Sequence, residues 1–237
     1  MQHARYEDFT VVLPTLNEEA TIGELINYLL SHYKGIHILV MDDGSSDRTK
    51  VVVQKIGKAS SSVAFVDRKA MGLQRGLTAS IVHGIKMANT KYAIVMDADL
   101  QHPPEIVGRL ARCLKHGSNL AIAVRAREKH WPFYRRLISK SLMGFGKLVL
   151  FFRGKQSSTD IFSGFFGVER KLFVSVYSNN RNRFVGQGYK ALFDFLKCAD
   201  KQSIRLCEVP YEFRLRKAGT SKAGLKQGLA VLKSFFS

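Results

Sequence analysis

Long apolar runs are missing from this chain of 237 residues, and acids are scarce beside bases. No stretch of about 18 or more uninterrupted apolar residues occurs, so none is expected to cross a membrane as a helix. The opening segment, Met1-Gln2-His3-Ala4-Arg5-Tyr6-Glu7-Asp8, lacks the apolar core of a secretory leader. Cysteine is limited to Cys113, Cys198 and Cys207, an odd number at spacings that suit neither a metal site nor a redox pair. They read as buried or free thiols in a reducing compartment rather than as a disulfide framework. Internal repeats and low-complexity tracts are missing too, and no Ser–His pairing presents itself as a general base. Against 37 Lys+Arg stand only 19 Asp+Glu, a formal net charge of +18. That imbalance favours polyanionic partners: nucleic acid, anionic lipid head groups or phosphorylated substrates. No helix-turn-helix, zinc or aromatic RNA-binding signature accompanies the charge, which sets nucleic acid aside.

What is present fits a globular protein: 46% hydrophobic and 24% charged residues in one large domain or two intimately joined halves. The stretch on which the rest turns is Val95-Met96-Asp97-Ala98-Asp99-Leu100-Gln101-His102-Pro103-Pro104-Glu105. The apolar run from Tyr92 to Met96 reads as a buried strand, and Pro103-Pro104-Glu105 as the opening of a helix. Alternate side chains of an extended segment point the same way, so Asp97 and Asp99 can aim at one point. Two carboxylates and the amide oxygen of Gln101 suit a hard divalent cation, Mg²⁺ or Mn²⁺, that takes its other ligands from water and substrate phosphates. An Asp-x-Asp triplet by itself equally suits a turn that caps a helix; the strand before it and a second acidic turn upstream favour the cation.

That second turn closes another strand. Phe9 to Leu13 reads as a strand ending in Pro14-Thr15-Leu16-Asn17-Glu18-Glu19, followed by a helix over about 19–33. Ile36 to Met41 is the next strand, closed by Asp42-Asp43-Gly44-Ser45-Ser46-Asp47, with a helix over about 47–58 behind it. A strand over 63–66, a helix over about 77–88 and the strand into Asp97 continue the alternation, which argues for a parallel sheet with helices on both faces. Ligands of such sheets gather beyond the carboxyl ends of the strands, where Pro14, Asp42 and Asp97 all stand. Asp42-Asp43-Gly44-Ser45 and Asn17-Glu18 could each be only a turn and a helix cap. Carboxylates there can also accept hydrogen bonds from a nucleobase and ribose, or hold the cation that neutralises a pyrophosphate.

Downstream, a strand over 120–124 leads to Arg125 and then to Trp131-Pro132 and an amphipathic helix over about 133–152. Its Leu, Met, Val and Phe residues sit among Arg135, Arg136, Lys140 and Lys147, a composition that suits a helix lying at a bilayer surface. A strand-like stretch over 161–168, helices near 170–177 and 188–199, and a strand over 204–213 follow. Arg214-Leu215-Arg216-Lys217-Ala218-Gly219-Thr220-Ser221-Lys222 suits a loop that orders around phosphate, and 223–236 reads as a last helix.

These motifs resemble the family-2 glycosyltransferases, and among them the dolichyl-phosphate mannose synthases and polyprenyl-phosphate hexosyltransferases, from Phe9 to about Gly224. The Pro-Thr-x-Asn-Glu opening is matched at Pro14, Thr15, Asn17 and Glu18, with Leu16 where an aromatic is usual. Asp42, Asp43, Ser45 and Asp47 match the Asp-Asp-x-Ser-x-Asp turn, and Asp97 to Glu105 the whole Asp-Ala-Asp-Leu-Gln-His-Pro-Pro-Glu motif. The lipid-phosphate branch is resembled in Trp131-Pro132 with Arg135, Arg136 and Ser139, in Asp160 with Ser163-Gly164-Phe165, and in Glu208-Val209-Pro210. Arg216 with Gly219, Ser221 and Lys222 continues that pattern. Departures are Asp194 in place of Glu after Gly188-Tyr189-Lys190, and Gly76-Leu77-Thr78 in place of Gly-Leu-Gly.

The resemblance implies a single GT-A-like domain, a mostly parallel sheet flanked by helices. Its nucleotide-sugar half would lie at about 8–116, its acceptor half at about 117–222 and a C-terminal amphipathic helix at 223–237. It implies inverting, metal-dependent transfer of a hexose, first of all mannose from GDP-mannose, to dolichyl or polyprenyl phosphate. The cation would sit on Asp97, Asp99 and Gln101. The nucleotide sugar would be held by Pro14, Leu16, Glu18, Asp42, Asp43, Asp97, Ala98, Asp99, Gln101, Arg125, Arg216 and Lys222. The lipid phosphate would meet Arg125, Arg135, Arg136, Ser139, Ser221 and Lys222, and Asp99, Arg125 and Arg216 would be catalytic. An acceptor phosphate is already an anion at neutral pH, so such a site needs no general base. Many relatives continue into transmembrane helices and others rely on a small membrane-anchoring subunit; this chain is expected to be the partner-dependent kind or a truncated catalytic domain. The expected location is peripheral, at the cytoplasmic face of a cell membrane or endoplasmic reticulum. A rival reading keeps the fold but uses another nucleotide sugar such as UDP-glucose, or a sugar-hydroxyl acceptor with Asp160 or Asp194 as base. Another makes the chain a non-enzymatic basic module.

Overall fold

A strand covered on both faces can be buried along its whole length, and the central strands here are. In the computed structural model, which describes residues 5–127, 133–186, 188 and 190–215, β1 (Phe9–Thr15) and β4 (Tyr92–Val95) are buried throughout. With β2 (His37–Asp42), β3 (Val63–Asp67), β5 (Leu120–Arg127), β6 (Phe166–Glu169) and β7 (Leu206–Glu212) they form one sheet in the order β3-β2-β1-β4-β6-β5-β7. Strand β6 alone runs antiparallel to its neighbours β4 and β5. The sheet is mostly parallel, as expected, with one reversal. Its cause is the turn over 160–165, where Ser163 N donates to Asp160 O and the Ser163 hydroxyl reaches Ala123 O at 2.7 Å. That turn takes up residues 161–165 of the stretch expected as strand over 161–168, and β6 starts only at Phe166.

Alternation along β1 sorts the core into two layers. Val11 and Leu13 face α1 (Ile22–His32), α2 (Thr49–Ala59) and α4 (Ile106–Lys115), through Leu25, Ile26, Val53, Val107 and Leu110. Val12 faces the opposite layer, with α3 (Leu77–Met87), α5 (Phe133–Phe152), α6 (Arg170–Asn179) and α7 (Ala191–Cys198). Helix α3 approaches the sheet closely because position 84 is glycine; a Cβ there would overlap Val12 and come within 2.9 Å of Met41 Cγ. Helix α4 begins at Ile106, after both prolines, and α7 at Ala191, since Gly188 is left-handed at φ +87°. Among the described residues no helix is long and apolar enough to cross a membrane. The expected last helix and the basic loop over 216–222 lie outside the described residues.

The cysteine expectation is corrected. Cys113 on α4 and Cys207 on β7 form a disulfide across 94 residues, their Cα atoms 6.1 Å apart, and only Cys198 is a free thiol. Spacing along the chain could not reveal the pair, because α4 and β7 become neighbours only in the folded chain. The reducing compartment inferred from unpaired thiols loses its basis.

After the end of β4 a histidine is buried among aromatic side chains. His102 is 4% exposed, stacked on Phe165 at 5.0 Å and edge-on to Tyr211 and Phe213. Burial, helped by the nearby Arg125 charge, pushes its pKa down to about 3. The unfolded chain therefore takes up a proton below about 6.5 that the folded one refuses, and stability is lost as pH falls through that window. Urea unfolding in EDTA should show the wild type losing about 1.4 kcal/mol per pH unit below about pH 6 relative to His102→Asn. Parallel pH profiles for the two proteins would contradict this burial of a neutral imidazole.

Candidate active site

Register brings the polar ends of three central strands together. Thr15 of β1 pairs with Asp42 of β2, and Val12 of β1 with Val95 of β4, so the turns after β1, β2 and β4 leave the same edge of the sheet. The first two turns are laced together. Asn17, left-handed at φ +55°, accepts Ser46 N at 2.7 Å and donates its own amide to Ser45 Oγ at 2.8 Å. Glu18 N donates to Thr49 Oγ1, and Glu19 N to Asp47 Oδ2. Burial alone would raise the Asp47 pKa, but hydrogen bonds from the Thr49 hydroxyl and amide and from the Glu19 amide hold it low.

The two acids of the second turn turn out to be partners of the protein itself. Asp42 is 2% exposed and accepts Thr15 Oγ1 at 3.0 Å, Gly44 N at 2.9 Å, Ser45 N at 2.8 Å and the Ser45 hydroxyl. Four donors use the lone pairs a carboxylate offers, so a nucleobase or ribose would have to displace one of them. Asp42 is the hub of the turn. Asp43 pairs with Arg68 and accepts Gly76 N at 2.9 Å and Ser80 Oγ at 2.8 Å. Arg68, 3% exposed, also donates to Ser80 Oγ and Gln74 O. Sequence reading missed Arg68, because an arginine beside Asp67 and Lys69 looks like a surface charge. Of the other positions expected near a nucleotide, Pro14 and Ala98 are buried and Leu16 and Glu18 half-buried on the same rim.

The third turn carries the acid pair. Met96 N makes the last bond to β1, on Val12 O at 3.3 Å; Asp97 N then donates to His102 Nδ1 at 3.1 Å. Asp99 Oδ1 accepts Gln101 N at 3.0 Å across Leu100, which is left-handed at φ +61° with its side chain in the core. The Asp97 side chain is 28% exposed, whereas Asp99 is 4% exposed. Gln101 binds the chain beyond β7 twice: its Nε2 donates to Arg214 O at 3.1 Å and its carbonyl accepts Arg214 N at 3.0 Å. Glu105 at the start of α4 pairs with the Arg214 guanidinium.

A second group approaches from β5 and the 160–165 turn. Arg125 grips Asp160 with two bonds, Nε at 2.7 Å and Nη2 at 3.0 Å. The same turn sets Gly164 against the acid pair, where an added Cβ would lie 3.5 Å from Asp97 Oδ2. Glu208 on β7 ties down the segment before it, accepting Ser158 Oγ at 2.7 Å and Thr159 N and Oγ1 at 2.6 Å. Burial pushes the Glu208 pKa up, and those hydrogen bonds more than reverse it. Asp194 pairs with Lys197 at 3.4 Å with neither side chain exposed, and burial lowers the Lys197 pKa. Thr78, the departure from Gly-Leu-Gly, donates to Gly188 O at 2.8 Å and so ties α3 to the chain before α7.

Of the remaining expected residues, Ser139 is half-buried on α5, and Arg135 and Arg136 fall in its first turns. Arg216, Ser221 and Lys222 lie outside the described residues. As a cation site the acid turn fits the open type. Among the described residues no group of three or more His, Cys, Asp and Glu could hold a metal by itself, and the His102 nitrogen nearest the acids already accepts a backbone amide. Two hard oxygen donors on one turn suit an ion that completes its shell from phosphate and water.

Solved structures of glucosyl-3-phosphoglycerate synthase from Mycobacterium tuberculosis share this fold. The complex with Mn²⁺, UDP and glucosyl-3-phosphoglycerate superposes with a TM-score of 0.67 at 20% identity, over 98% of this chain and 77% of that one. Among curated proteins, dolichol-phosphate mannosyltransferase of Pyrococcus furiosus is 34% identical over 90% of this chain and 58% of its own length. The enzyme of that name from Mycosarcoma maydis is 29% identical over 90% of this chain and 72% of its own. Polyprenol monophosphomannose synthase of Mycolicibacterium smegmatis is 26% identical over 90% and 79% respectively. The chain thus spans little more than half of the Pyrococcus protein and most of the other two. The description of glycosyl transferase family 2 matches residues 10–176, which is most of the chain, and the chain belongs to that family.

Proposed function

We propose that the chain transfers a hexose, in the first instance mannose from GDP-mannose, to a polyprenyl phosphate such as dolichyl phosphate. The observation that carries this reading is the meeting of the acid pair with the Arg125–Asp160 pair, through Gly164 beside Asp97. One side suits a nucleoside diphosphate with its cation, and the other a second phosphate. The curated relatives' names, which specify dolichol or polyprenol phosphate and mannose, support the same pairing.

Asp97 and Asp99, with Gln101, would hold Mg²⁺ or Mn²⁺; a bound ion of that kind offsets the charge that builds on a departing diphosphate. Asp43 and Arg68 line the nucleotide side, while Asp42 keeps the turn in shape. Arg125 is pre-oriented by its two bonds to Asp160, so it meets an anion without first being ordered. A hydroxyl acceptor would instead need a base, and both carboxylates available for that task are engaged. Asp160 is clamped by Arg125 and Asp194 is buried against Lys197. An acceptor phosphate removes the need, being already ionised.

Helix α5 supports a membrane-surface location. Phe151 and Phe152 are 75% and 77% exposed, and Phe145 and Leu148 are exposed beside them, among Lys140, Lys147 and Arg153. Apolar side chains next to cations suit the boundary of an anionic bilayer.

Incubation of the protein with radiolabelled GDP-mannose, dolichyl phosphate and Mg²⁺, followed by organic extraction, should move label into the lipid phase. Asp99→Ala should reduce that transfer by about a hundredfold or more while the protein stays folded. Near-normal turnover in the variant would contradict the role given to the acid pair, and no lipid-linked label with the wild type would contradict the reaction. Sedimentation with anionic vesicles should fall at least about tenfold for Phe151→Ser/Phe152→Ser, each ring contributing on the order of 1.5–3 kcal/mol when buried. Unchanged partitioning would take α5 off the bilayer.

A further inference from the structure

His102 sits inside the acid turn but has none of the duties so far assigned to it. Its ring is fixed on three sides, stacked on Phe165 with 22° between planes and edge-on to Tyr211 at 5.9 Å and Phe213 at 5.7 Å. A ring held in that way has one orientation, and in it Nδ1 faces the Asp97 amide at 3.1 Å. A nitrogen that accepts an amide proton carries none, so the imidazole is the neutral tautomer with its hydrogen on Nε2. The Asp97 carboxylate itself is too far from that nitrogen for a hydrogen bond, with Oδ2 at 3.9 Å. The histidine thus holds the backbone of Asp97 and leaves its carboxylate directed elsewhere.

The surrounding geometry explains why the turn needs a clasp. Strand β4 ends at Val95, and beyond the bond from Met96 N to Val12 O the chain leaves the sheet. It then doubles back within five residues through Leu100 at φ +61°, a conformation that a branched side chain adopts only when its surroundings impose it. The bond from Asp97 N to His102 Nδ1 closes this loop, and the bond from Gln101 N to Asp99 Oδ1 lies inside it. On the open side stands Gly164, where a Cβ would be 3.5 Å from both Asp97 Oδ2 and His102 Cε1.

We propose that His102 is a positioning residue for the cation-binding turn: by accepting the Asp97 amide it closes the loop that points the Asp97 and Asp99 carboxylates at one place. The inference rests on the reading above, in which those carboxylates hold a divalent ion. It goes beyond that reading in giving the arrangement of the acids to a side chain that touches neither ion nor substrate. Such outer partners typically alter metal affinity by about ten- to a hundredfold when removed.

Two substitutions separate this role from simple packing. His102→Phe keeps an aromatic ring against Phe165 and removes the acceptor; His102→Asn gives up the ring but sets an amide oxygen close to where Nδ1 was. Mn²⁺ binding in the presence of GDP, followed by electron paramagnetic resonance, should weaken about ten- to a hundredfold in His102→Phe and return to within about threefold of wild type in His102→Asn. In the wild type, nitrogen-15 NMR should place His102 Nδ1 in the unprotonated range and Nε2 in the protonated range. Wild-type affinity in folded His102→Phe, equal losses in both variants, or a protonated Nδ1 would each overturn the proposal. Failure of the wild type to bind Mn²⁺ with any nucleoside diphosphate would overturn the cation reading, and this inference with it.

Discussion

Burial of the central strands on both faces is the constraint from which the site follows. β1 and β4 have no exposed position, so polar chemistry can appear only where those strands end. Parallel pairing of β2, β1 and β4 brings their carboxyl ends to one edge, and each ends in a turn rich in acids or their partners. Helices on both sides supply apolar cover.

The acids of these turns differ in how far they are buried and in which loops they tie together. Asp42 gives all its acceptor capacity to Thr15, Gly44 and Ser45, and Asp160 pairs with Arg125. These carboxylates shape loops. Asp97, its side chain 28% exposed, has its backbone amide held by His102. The bond from Gln101 to Arg214 joins this turn to the chain leaving β7, which leads on to the basic segment. The turn after β4 is therefore tied to the chain that leaves β7.

Much of this was legible in the sequence, for a physical reason. Short, mostly apolar runs such as Phe9 to Leu13 and Tyr92 to Met96, bounded by turn residues and alternating with helical periods, read as buried strands, so the order of elements followed from hydrophobic pattern. Acids placed immediately after such runs had to sit at strand ends. Partners were not legible. The same Asp-Asp pair reads as nucleotide ligands or as a turn, and its partners Thr15, Arg68 and Ser80 come from segments that the sequence alone does not set beside it. The reversal of β6, the Cys113–Cys207 bridge and the grip of Arg125 on Asp160 all depend on contacts between distant segments. His102 was hidden differently: it stands within the Asp97 to Glu105 motif, but only the folded turn shows its ring nitrogen facing the Asp97 amide.

On the proposed reading one cation, held by the turn after β4, binds the nucleotide diphosphate. Manganese anomalous diffraction from crystals grown with Mn²⁺ and GDP should then show one strong peak within bonding distance of Asp97 or Asp99 and of the diphosphate oxygens, on the edge of the sheet shared with the turns after β1 and β2. A nucleotide bound there without manganese at that turn, or manganese bound at another place on the molecule, would contradict it.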